Sequence, residues 1–345
     1  MEHFQREKCD LSFVIVPVIE KSVVPNSVLG HALNRFHFDR RIIVRFAAVM
    51  SKEIVPAGDV KMTDFHRVHD NITLSFVKQN GIGSGQIIRR KQDGSLEYLH
   101  DDLTVEEPLE IRIGDKTLAT TMRTPGHDDE LAAGFLLSEA LVRDRSVITE
   151  ISANGDNRVV VAFAEGVKPK LNGPQRFGTI SSSCGLCGKT SIDEIRQNFP
   201  AIDWGNVRMD IETLVSLPEK LRKAQSDFAR TGGIHAAAIF DLNGHLKTVR
   251  EDIGRHNAVD KAIGRAFLDN QLPLNRSILL VSGRASFEIV QKALAAGIPI
   301  IASVSAASTL AVEFARENNQ TLVGFLRPPS FNIYTHIERI VLDSA

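Results

Sequence analysis

Cys184 and Cys187 stand three positions apart in Ser181-Ser182-Ser183-Cys184-Gly185-Leu186-Cys187-Gly188-Lys189-Thr190, and they are two of only three cysteines in the chain. Their neighbours are serines and glycines without apolar periodicity, so the stretch reads as an exposed reactive loop and not as a buried structural site. Three chemistries use a C-x-x-C pair: dithiol–disulfide exchange, half of a zinc site, and carriage of a sulfur atom as a persulfide. The pair alone leaves all three open.

Zinc deamination needs H-x-E with the Glu as proton shuttle, followed downstream by P-C-x-x-C. Gly233-Ile234-His235-Ala236-Ala237 offers a His but has Ala in the place of the Glu, it follows the cysteines, and Ser183 precedes Cys184. The shuttle is missing, so a catalytic zinc is disfavoured. A structural zinc would want two further ligands at similar spacing, and the third cysteine, Cys9, is far upstream. His3, His31, His37, His66 and His69 are five of the eleven histidines. Their spacings fit no compact metal motif and read as scattered surface residues, so no metal site is expected. A thioredoxin-like dithiol would open a helix directly after a strand. Ser181–Gly188 is too rich in glycine for that, although Lys189 favours a thiolate.

Other residues can bind without reacting. Ser282-Gly283-Arg284 follows a short apolar run; glycine allows close backbone approach and arginine offers a bidentate fork to phosphate. Arg327 lies past the last apolar run and can join it. Glu251-Asp252-Ile253-Gly254-Arg255-His256-Asn257 reads, by spacing alone, as a solvated turn with a capping Asp. Taken singly, His127 and His235 read as capping or satisfied core residues.

The elements that must position these residues become legible from Val105 onward. Glu107–Ile113 and Thr117–Thr121 predict a hairpin around Gly114-Asp115. Thr124-Pro125-Gly126-His127-Asp128-Asp129-Glu130 opens a helix with acids in its first turn, its apolar face given by Leu131, Phe135, Leu137/Ser138 and Leu141/Val142. Ile148–Ala153 and Arg158–Phe163 predict a second hairpin. Helical segments follow near Ser191–Asn198 and over Ile211–Ala229, the latter interrupted by Pro218. The last third alternates strands (Ile234–Phe240, Ser277–Val281, Ile298–Val304, Thr321–Leu326) with helices (Asn257–Leu268, Phe287–Ala296, Ser308–Glu317). Continuous apolar strands alternating with helices imply an α/β fold whose parallel sheet is covered on both faces. Ligands bind such sheets at the strands' carboxyl ends, which is where Gly283-Arg284, Ser303–Ser308 and Arg327-Pro328-Pro329 fall. Residues 1–100 are poorly legible. Ser75–Ser95 looks like linker, and the first sixty or so residues are expected to be a disordered extension or a translated upstream segment ahead of a start at Met50 or Met62.

With 345 residues, the chain has ample material for one large or two modest domains. Lys and Arg number 41 against 42 Asp and Glu, a balance without a nucleic-acid or membrane footprint. No apolar run approaches the roughly 18–20 residues of a membrane span. The start does not read as a signal peptide, and three cysteines argue for a reducing compartment, so a cytoplasmic protein is expected.

The chain also resembles a known family, the FdhD family of formate dehydrogenase accessory sulfurtransferases. The resemblance rests on Thr124-Pro125-Gly126-His127-Asp128-Asp129-Glu130-Leu131-Ala132-Ala133-Gly134-Phe135, Ser183-Cys184-Gly185-Leu186-Cys187-Gly188 and Thr231-Gly232-Gly233-Ile234-His235. It continues through Glu251–Lys261, Ser282–Glu288, Gly324-Phe325-Leu326-Arg327 and Asn332-Ile333-Tyr334-Thr335-His336. It covers about residues 105–340 and implies a cytidine-deaminase-like three-layer core with a smaller N-terminal α+β part. The expected division is an extension and linker over 1–100, a smaller α+β part over 101–175, a mobile C-x-x-C loop over 176–195 and an α/β core over 196–345.

What the resemblance implies is a sulfur carrier. A cysteine desulfurase passes sulfur to the loop as a persulfide, with Cys184 as carrier and Cys187 assisting. The sulfur then goes to Mo-bis(molybdopterin guanine dinucleotide), or its tungsten counterpart, bound as a client before it enters formate dehydrogenase. The family's cofactor-binding stretch corresponds to Phe325, Leu326, Arg327, Pro328, Pro329 and Ser330. Gly283 and Arg284 are expected as a second phosphate contact, with His235, Asp252 and His256 lining the site. The two prolines lack backbone donors, which excludes N–H contacts to phosphate there. A homodimer is the family expectation. The rival reading is a chaperone that binds and delivers the cofactor without moving sulfur.

Overall fold

Strand and helix order follow from where the chain alternates at period two and where it repeats at 3.6. The computed structural model describes residues 76–79, 81–153, 157–167, 179–180, 199–203 and 205–342. In chain order come β1 (Phe76–Gln79), β2 (Ile82–Arg90) and β3 (Leu96–Thr104), then β4 (Glu107–Ile113), β5 (Lys116–Arg123) and α1 (Asp128–Ser138). The chain continues with β6 (Ile148–Ala153), β7 (Arg158–Phe163), β8 (Thr179–Ile180), β9 (Met209–Asp210), α2 (Ile211–Ala224) and α3 (Ser226–Thr231). The last third holds β10 (His235–Asp241), β11 (Leu246–Asp252), α4 (Arg255–Leu268), β12 (Ser277–Val281) and α5 (Phe287–Ala295). It ends with β13 (Ile300–Ser303), α6 (Thr309–Glu317), β14 (Thr321–Arg327), β15 (Ser330–Thr335) and β16 (Ile340–Val341).

The organising sheet has the order β11-β10-β12-β13-β14-β15. β12, β13 and β14 run parallel, while β10, β11 and β15 are antiparallel to their neighbours. Successive residues of β10 face opposite sides: Ala236, Ala238 and Phe240 pack with Leu214, Leu217 and Leu221 of α2, whereas Ala237 and Ile239 pack toward α4 and α5. The sheet is therefore covered on both faces, and the α/β class read from the sequence is the observed one. Each large apolar side chain so buried contributes about 1.5–3 kcal/mol.

A second sheet, β6-β7-β4-β5-β8, lies over α1. α1 is covered on almost every side, with Leu131, Ala132, Ala133, Gly134, Leu136, Leu137 and Ser138 all buried. The single apolar face expected through Phe135 and Leu141/Val142 is not what forms: the helix ends at Ser138 and Phe135 is half-buried. The reason is its crossing with α4. A Cβ on Gly134 would overlap the Asp260 carbonyl, and one on Gly264 the Glu130 carbonyl, so two reciprocal glycines bring the backbones into contact. Gly134→Ala is expected to lower thermal stability more than any surface substitution, by pushing these helices apart.

Two further elements differ from the expected ones. Ser75–Ser95, read as linker, contains β1 and all of β2, which with β3 form an antiparallel sheet in the register Ile88↔Tyr98 and Arg89↔Glu97. The β2–β3 ribbon stands largely in solvent, so it lacks the apolar alternation that betrays a half-buried strand. Pro218 does not interrupt α2; it sits inside it, and the break falls at Gln225. Asp210 caps α2, its Oδ2 accepting from the backbone N–H groups of Glu212 (2.9 Å) and Thr213 (3.2 Å). Residues 1–75, which hold the expected extension, and the helix expected near Ser191–Asn198 lie outside the described residues. Among the described residues no helix is long and apolar enough to cross a membrane.

Buried charges tie the layers together. Arg250 of β11 holds Glu130 of α1 through its Nε and, at 2.6 Å, its Nη2. Burial alone would raise the Glu130 carboxyl; the Arg250 hydrogen bond and His127 outweigh it and lower it from an ordinary 4.5 to about 2. A depressed carboxyl contributes stability that is complete above its unfolded value and is lost as pH falls through the folded one. This pair is thus expected to add roughly 3 kcal/mol at neutral pH. In Glu130→Gln the loss of stability between about pH 4.5 and 2, measured by urea titration at stepped pH, becomes shallower.

Candidate functional site

The register of the main sheet brings four strand ends together on one side. His235 at the start of β10 pairs with Asp252 at the end of β11, Ala237 pairs with Val281, and Val281 pairs with Ser303. The loops that leave β12, β13 and β14 are fastened to one another. Ala285 N donates to Ala306 O (3.0 Å) and Ser308 N to Ala285 O (3.1 Å). Ser303 Oγ donates to Gly283 O (2.7 Å), Phe325 N to Ser305 O (2.8 Å) and Arg327 Nε to Val304 O (2.8 Å). Three loops thus form one rim whose backbone is set before any ligand arrives, the preorganisation a binding site needs.

Most of the residues expected from the sequence meet here. Gly283 lies against His235: a Cβ would come within 3.3 Å of His235 Nδ1 and of Arg255 Cδ, so any side chain there would make one of them give by a few tenths of an ångström. Burial lowers the His235 pKa below its ordinary 6.5, and Arg255 and Arg284 push the same way against Asp252, so the ring is neutral at neutral pH. Arg284 is exposed on the rim and has no hydrogen-bond partner among the described residues.

The last strand turns its side chains in opposite directions. Phe325 has φ 50°, a left-handed conformation that costs a bulky residue about 1–2 kcal/mol. The conformation sits in an irregular stretch between Gly324 and Arg327. It leaves the Phe325 ring 40% exposed, with the Arg327 guanidinium carbon 5.8 Å from its centroid. Leu326 is fully buried among the strands and α2, so its role is to anchor the strand and not to touch a ligand. Pro328 and Pro329 form the exposed tip between Arg327 and its partner Ser330, which is also exposed.

Asp252 and His256 are held inside. The Asp252 carboxylate, with 0% exposure, accepts from Lys261 Nζ (2.7 Å), Gly254 N (2.8 Å), Asn257 Nδ2 (3.1 Å) and Thr124 N (3.2 Å). Four donors saturate its lone pairs. It locks the start of α4 onto Thr124 and so supports the rim from beneath. His256 turns toward α5, its Nε2 lying 3.2 Å from Ser286 Oγ and 3.5 Å from Glu288 Oε2. The solvated turn expected over Glu251–Asn257 is therefore a buried hub. Packing of α1 and α4 against it converts a polar stretch into an interior one.

Beside the rim opens a cleft of about 550 Å³, which the sequence did not announce. His235, Ser282 and Val304 line one side; Leu221 and Arg222 of α2, Gln225, and Phe228 of α3 line the other. α3 is fixed at both ends: the Glu251 carboxylate accepts from Asp227 N (3.0 Å) and Phe228 N (2.9 Å), and Arg230 grips Asp102 of β3 (2.9 and 3.0 Å). Cys184 and Cys187 lie outside the described residues. Their segment begins where β8 ends, with Ile180 paired to Thr121 in parallel register. Thr121 is itself 3.4 Å from Asn257 of the Asp252 hub.

Comparisons with known proteins show the family. Residues 104–341 match the model of the FdhD/NarQ family. The chain is 50% identical over 267 residues to "Sulfur carrier protein FdhD" of Streptomyces coelicolor, covering 74% of this chain and 95% of that one. It is 45% identical over 255 residues to the protein of the same name from Sulfolobus acidocaldarius, covering 74% and 97%. Among solved structures, one from Desulfotalea psychrophila described as a formate dehydrogenase accessory protein matches with a TM-score of 0.61 and 25% identity, over 77% of this chain and 99% of that one. A family match that spans the strand-end rim, the Asp252 hub and the C-x-x-C stretch, together with relatives half identical along nearly their whole length, means that this chain belongs to the FdhD/NarQ family.

Proposed function

We propose that this chain is a sulfurtransferase that carries sulfur as a persulfide on Cys184, assisted by Cys187. Its substrate is the bis-guanine-dinucleotide molybdenum cofactor destined for formate dehydrogenase. The observation that carries the reading is Cys184-x-x-Cys187 itself, inside the family-matched span of a chain half identical to proteins named sulfur carriers. The structure described as a formate dehydrogenase accessory protein supports the choice of recipient.

The chemistry balances with thiols alone. The Cys184 thiolate attacks the outer sulfur of a persulfide on the donor, a cysteine desulfurase. That S–S bond breaks, the donor thiolate leaves, and Cys184 retains the sulfur as its own persulfide. Attack by the Cys187 thiolate on the inner sulfur then forms the Cys184–Cys187 disulfide and expels hydrosulfide toward the metal-bearing substrate. A thiol reductant supplies the two electrons that reset the pair.

The rim is suited to an anionic, ring-bearing substrate. Arg284 after β12 and Arg327 at the end of β14 are exposed cations on the rim, and the half-exposed Phe325 ring lies beside the Arg327 guanidinium. Four Cα steps separate Ile180 from Cys184, which bounds their distance at about 14 Å. Incubation with a cysteine desulfurase and L-cysteine is expected to add one sulfur to the intact mass, mapping to Cys184. An unchanged mass, or sulfur on Cys9 alone, would remove the persulfide reading.

A further inference from the structure

We propose that one face of the β2–β3 ribbon is the docking surface for the protein that donates sulfur, and that the donor meets it with an apolar patch bordered by carboxylates. The proposal rests on the reading that Cys184 is loaded from a protein persulfide, and it names the surface on which that protein is held.

The register sorts the ribbon's side chains into two unlike faces. Ile88 is opposite Tyr98, Arg90 opposite Leu96 and Gln86 opposite His100, so these six side chains share one face. All six are exposed, Ile88 to 36%, Leu96 to 38% and Tyr98 to 57%. The other face carries Ile87 and Leu99, both half-buried, and its charges are paired internally. Arg89 lies 3.9 Å from Asp101, and Lys91 lies 3.4 Å from Glu97. The first face has no carboxylate, and Arg90 has no ion-pair partner among the described residues. Scattered apolar residues on a surface need no explanation, but three side by side across two strands form a patch. Tyrosine and arginine are the side chains enriched at the energetic centres of protein interfaces.

Charge and shape select the occupant. A second copy of this face would set cation against cation with no carboxylate between them, so the complement is an acidic protein surface with an apolar centre. The turn Lys91-Gln92-Asp93-Gly94-Ser95 is polar, so the ribbon offers a flat side and not an apolar tip for a bilayer. It is also preorganised: Lys91 N donates to Ser95 O (2.9 Å) and Gly94 N to Lys91 O (3.0 Å), which closes the hairpin. Sulfur passes between proteins by attack of one thiolate on the other's persulfide, so the donor has to be held against this chain while the bond exchanges. The ribbon's root stands on the side of the chain that leads to the thiols. Val105 N donates to Gly81 O (2.8 Å), and a Cβ on Gly81 would come within 3.0 Å of Thr124 Cγ2. Thr124 directly follows β5, whose Thr121 pairs with Ile180 at the start of the cysteine segment.

The test uses a persulfide-loaded cysteine desulfurase with the full chain, with the double variant Ile88→Thr/Tyr98→Thr, and with Arg90→Glu. Threonine keeps the strand preference and the sites are exposed, so the melting curves are expected to match wild type. By calorimetry, the double variant is expected to weaken desulfurase binding about 10- to 100-fold, and intact-mass kinetics at low donor concentration to slow in proportion. Arg90→Glu weakens it about 5- to 10-fold and abolishes the loss of affinity that added salt causes in wild type. Loading from inorganic polysulfide, which needs no docking, is expected to be equal in all three proteins. Variants that bind and load from the desulfurase as wild type does overturn the surface. So does a wild type that loads from polysulfide yet does not bind the desulfurase. A change of oligomeric size in the variants, or ribbon-dependent sedimentation of wild type with phosphatidylglycerol vesicles, gives the face to a second copy or a membrane and overturns the proposal too. Desulfurase binding that depends on the ribbon, without sulfur reaching either cysteine from either source, keeps the docking surface and removes the persulfide reading.

Discussion

Replacing Cys184 with alanine is expected to reduce maturation of the target formate dehydrogenase to the level seen without the protein, while binding of the cofactor is retained. In the proposed mechanism the thiolate at this position accepts the sulfur and holds it between donor and substrate, so its loss leaves no carrier. Cys187→Ala separates the two roles. It still loads sulfur on Cys184, but release slows because no internal thiol resolves the persulfide, and the persulfidated form accumulates in intact-mass spectra. The double alanine variant decides between the two readings of the family's work. A chaperone that only delivers the cofactor would mature its target normally without either cysteine, and that result would end the sulfur-transfer reading. A melting curve recorded on each variant beside the maturation assay separates lost chemistry from lost fold.

Lys292→Met is expected to cost about 3–5 kcal/mol of folding stability. Lys292 of α5 donates to both oxygens of Asp260 of α4 (2.9 and 2.7 Å) and to Ser138 Oγ of α1 (3.0 Å). Burial would push its ammonium down, but Asp260 and then Glu288 outweigh burial and hold it above its ordinary value, so it stays charged throughout the neutral range. One cation thus joins three helices, and its removal strands a carboxylate in the interior with one hydroxyl for company. For a unit of this size such a loss lowers Tm by roughly 10 °C, measured by circular dichroism or scanning calorimetry. Lys292→Met combined with Asp260→Leu removes both charges and is expected to recover most of the loss. If the single variant melts with the wild type, the pair is not holding the helices.

The two predictions act on different parts of the molecule, and the difference explains what a linear reading can see. Local signals carried most of the last third. Asp241-Leu242-Asn243-Gly244 marks a turn, Gly297 (φ 74°) closes α5, Ser308 Oγ caps α6 at 3.2 Å, and the uninterrupted Ile278–Val281 run is a strand buried on both faces. Arg284 and Arg327 were legible as rim residues because each lies at or just past the carboxyl end of an apolar strand, where an α/β sheet presents its loops, whereas Phe325 came only from the family resemblance. The errors lie where neighbours distant in sequence set the outcome. β2 and β3 pair mostly with each other in solvent and show no apolar face. α1 is enclosed on all sides, so its burial has no helical period. Asp252 and His256 read as surface groups because nothing near them in sequence reveals Lys261, Thr124 and Ser286 closing over them.

Residue type and spacing single out Cys184-x-x-Cys187 as the place for thiol chemistry and leave open which of its three uses applies. The α/β class is likewise determined locally, by period and by turn residues. The tertiary structure alone decided which polar residues face a ligand and which serve the interior. The same carboxylate or imidazole is a ligand contact or a structural strut according to which donors the packing brings within about 3 Å.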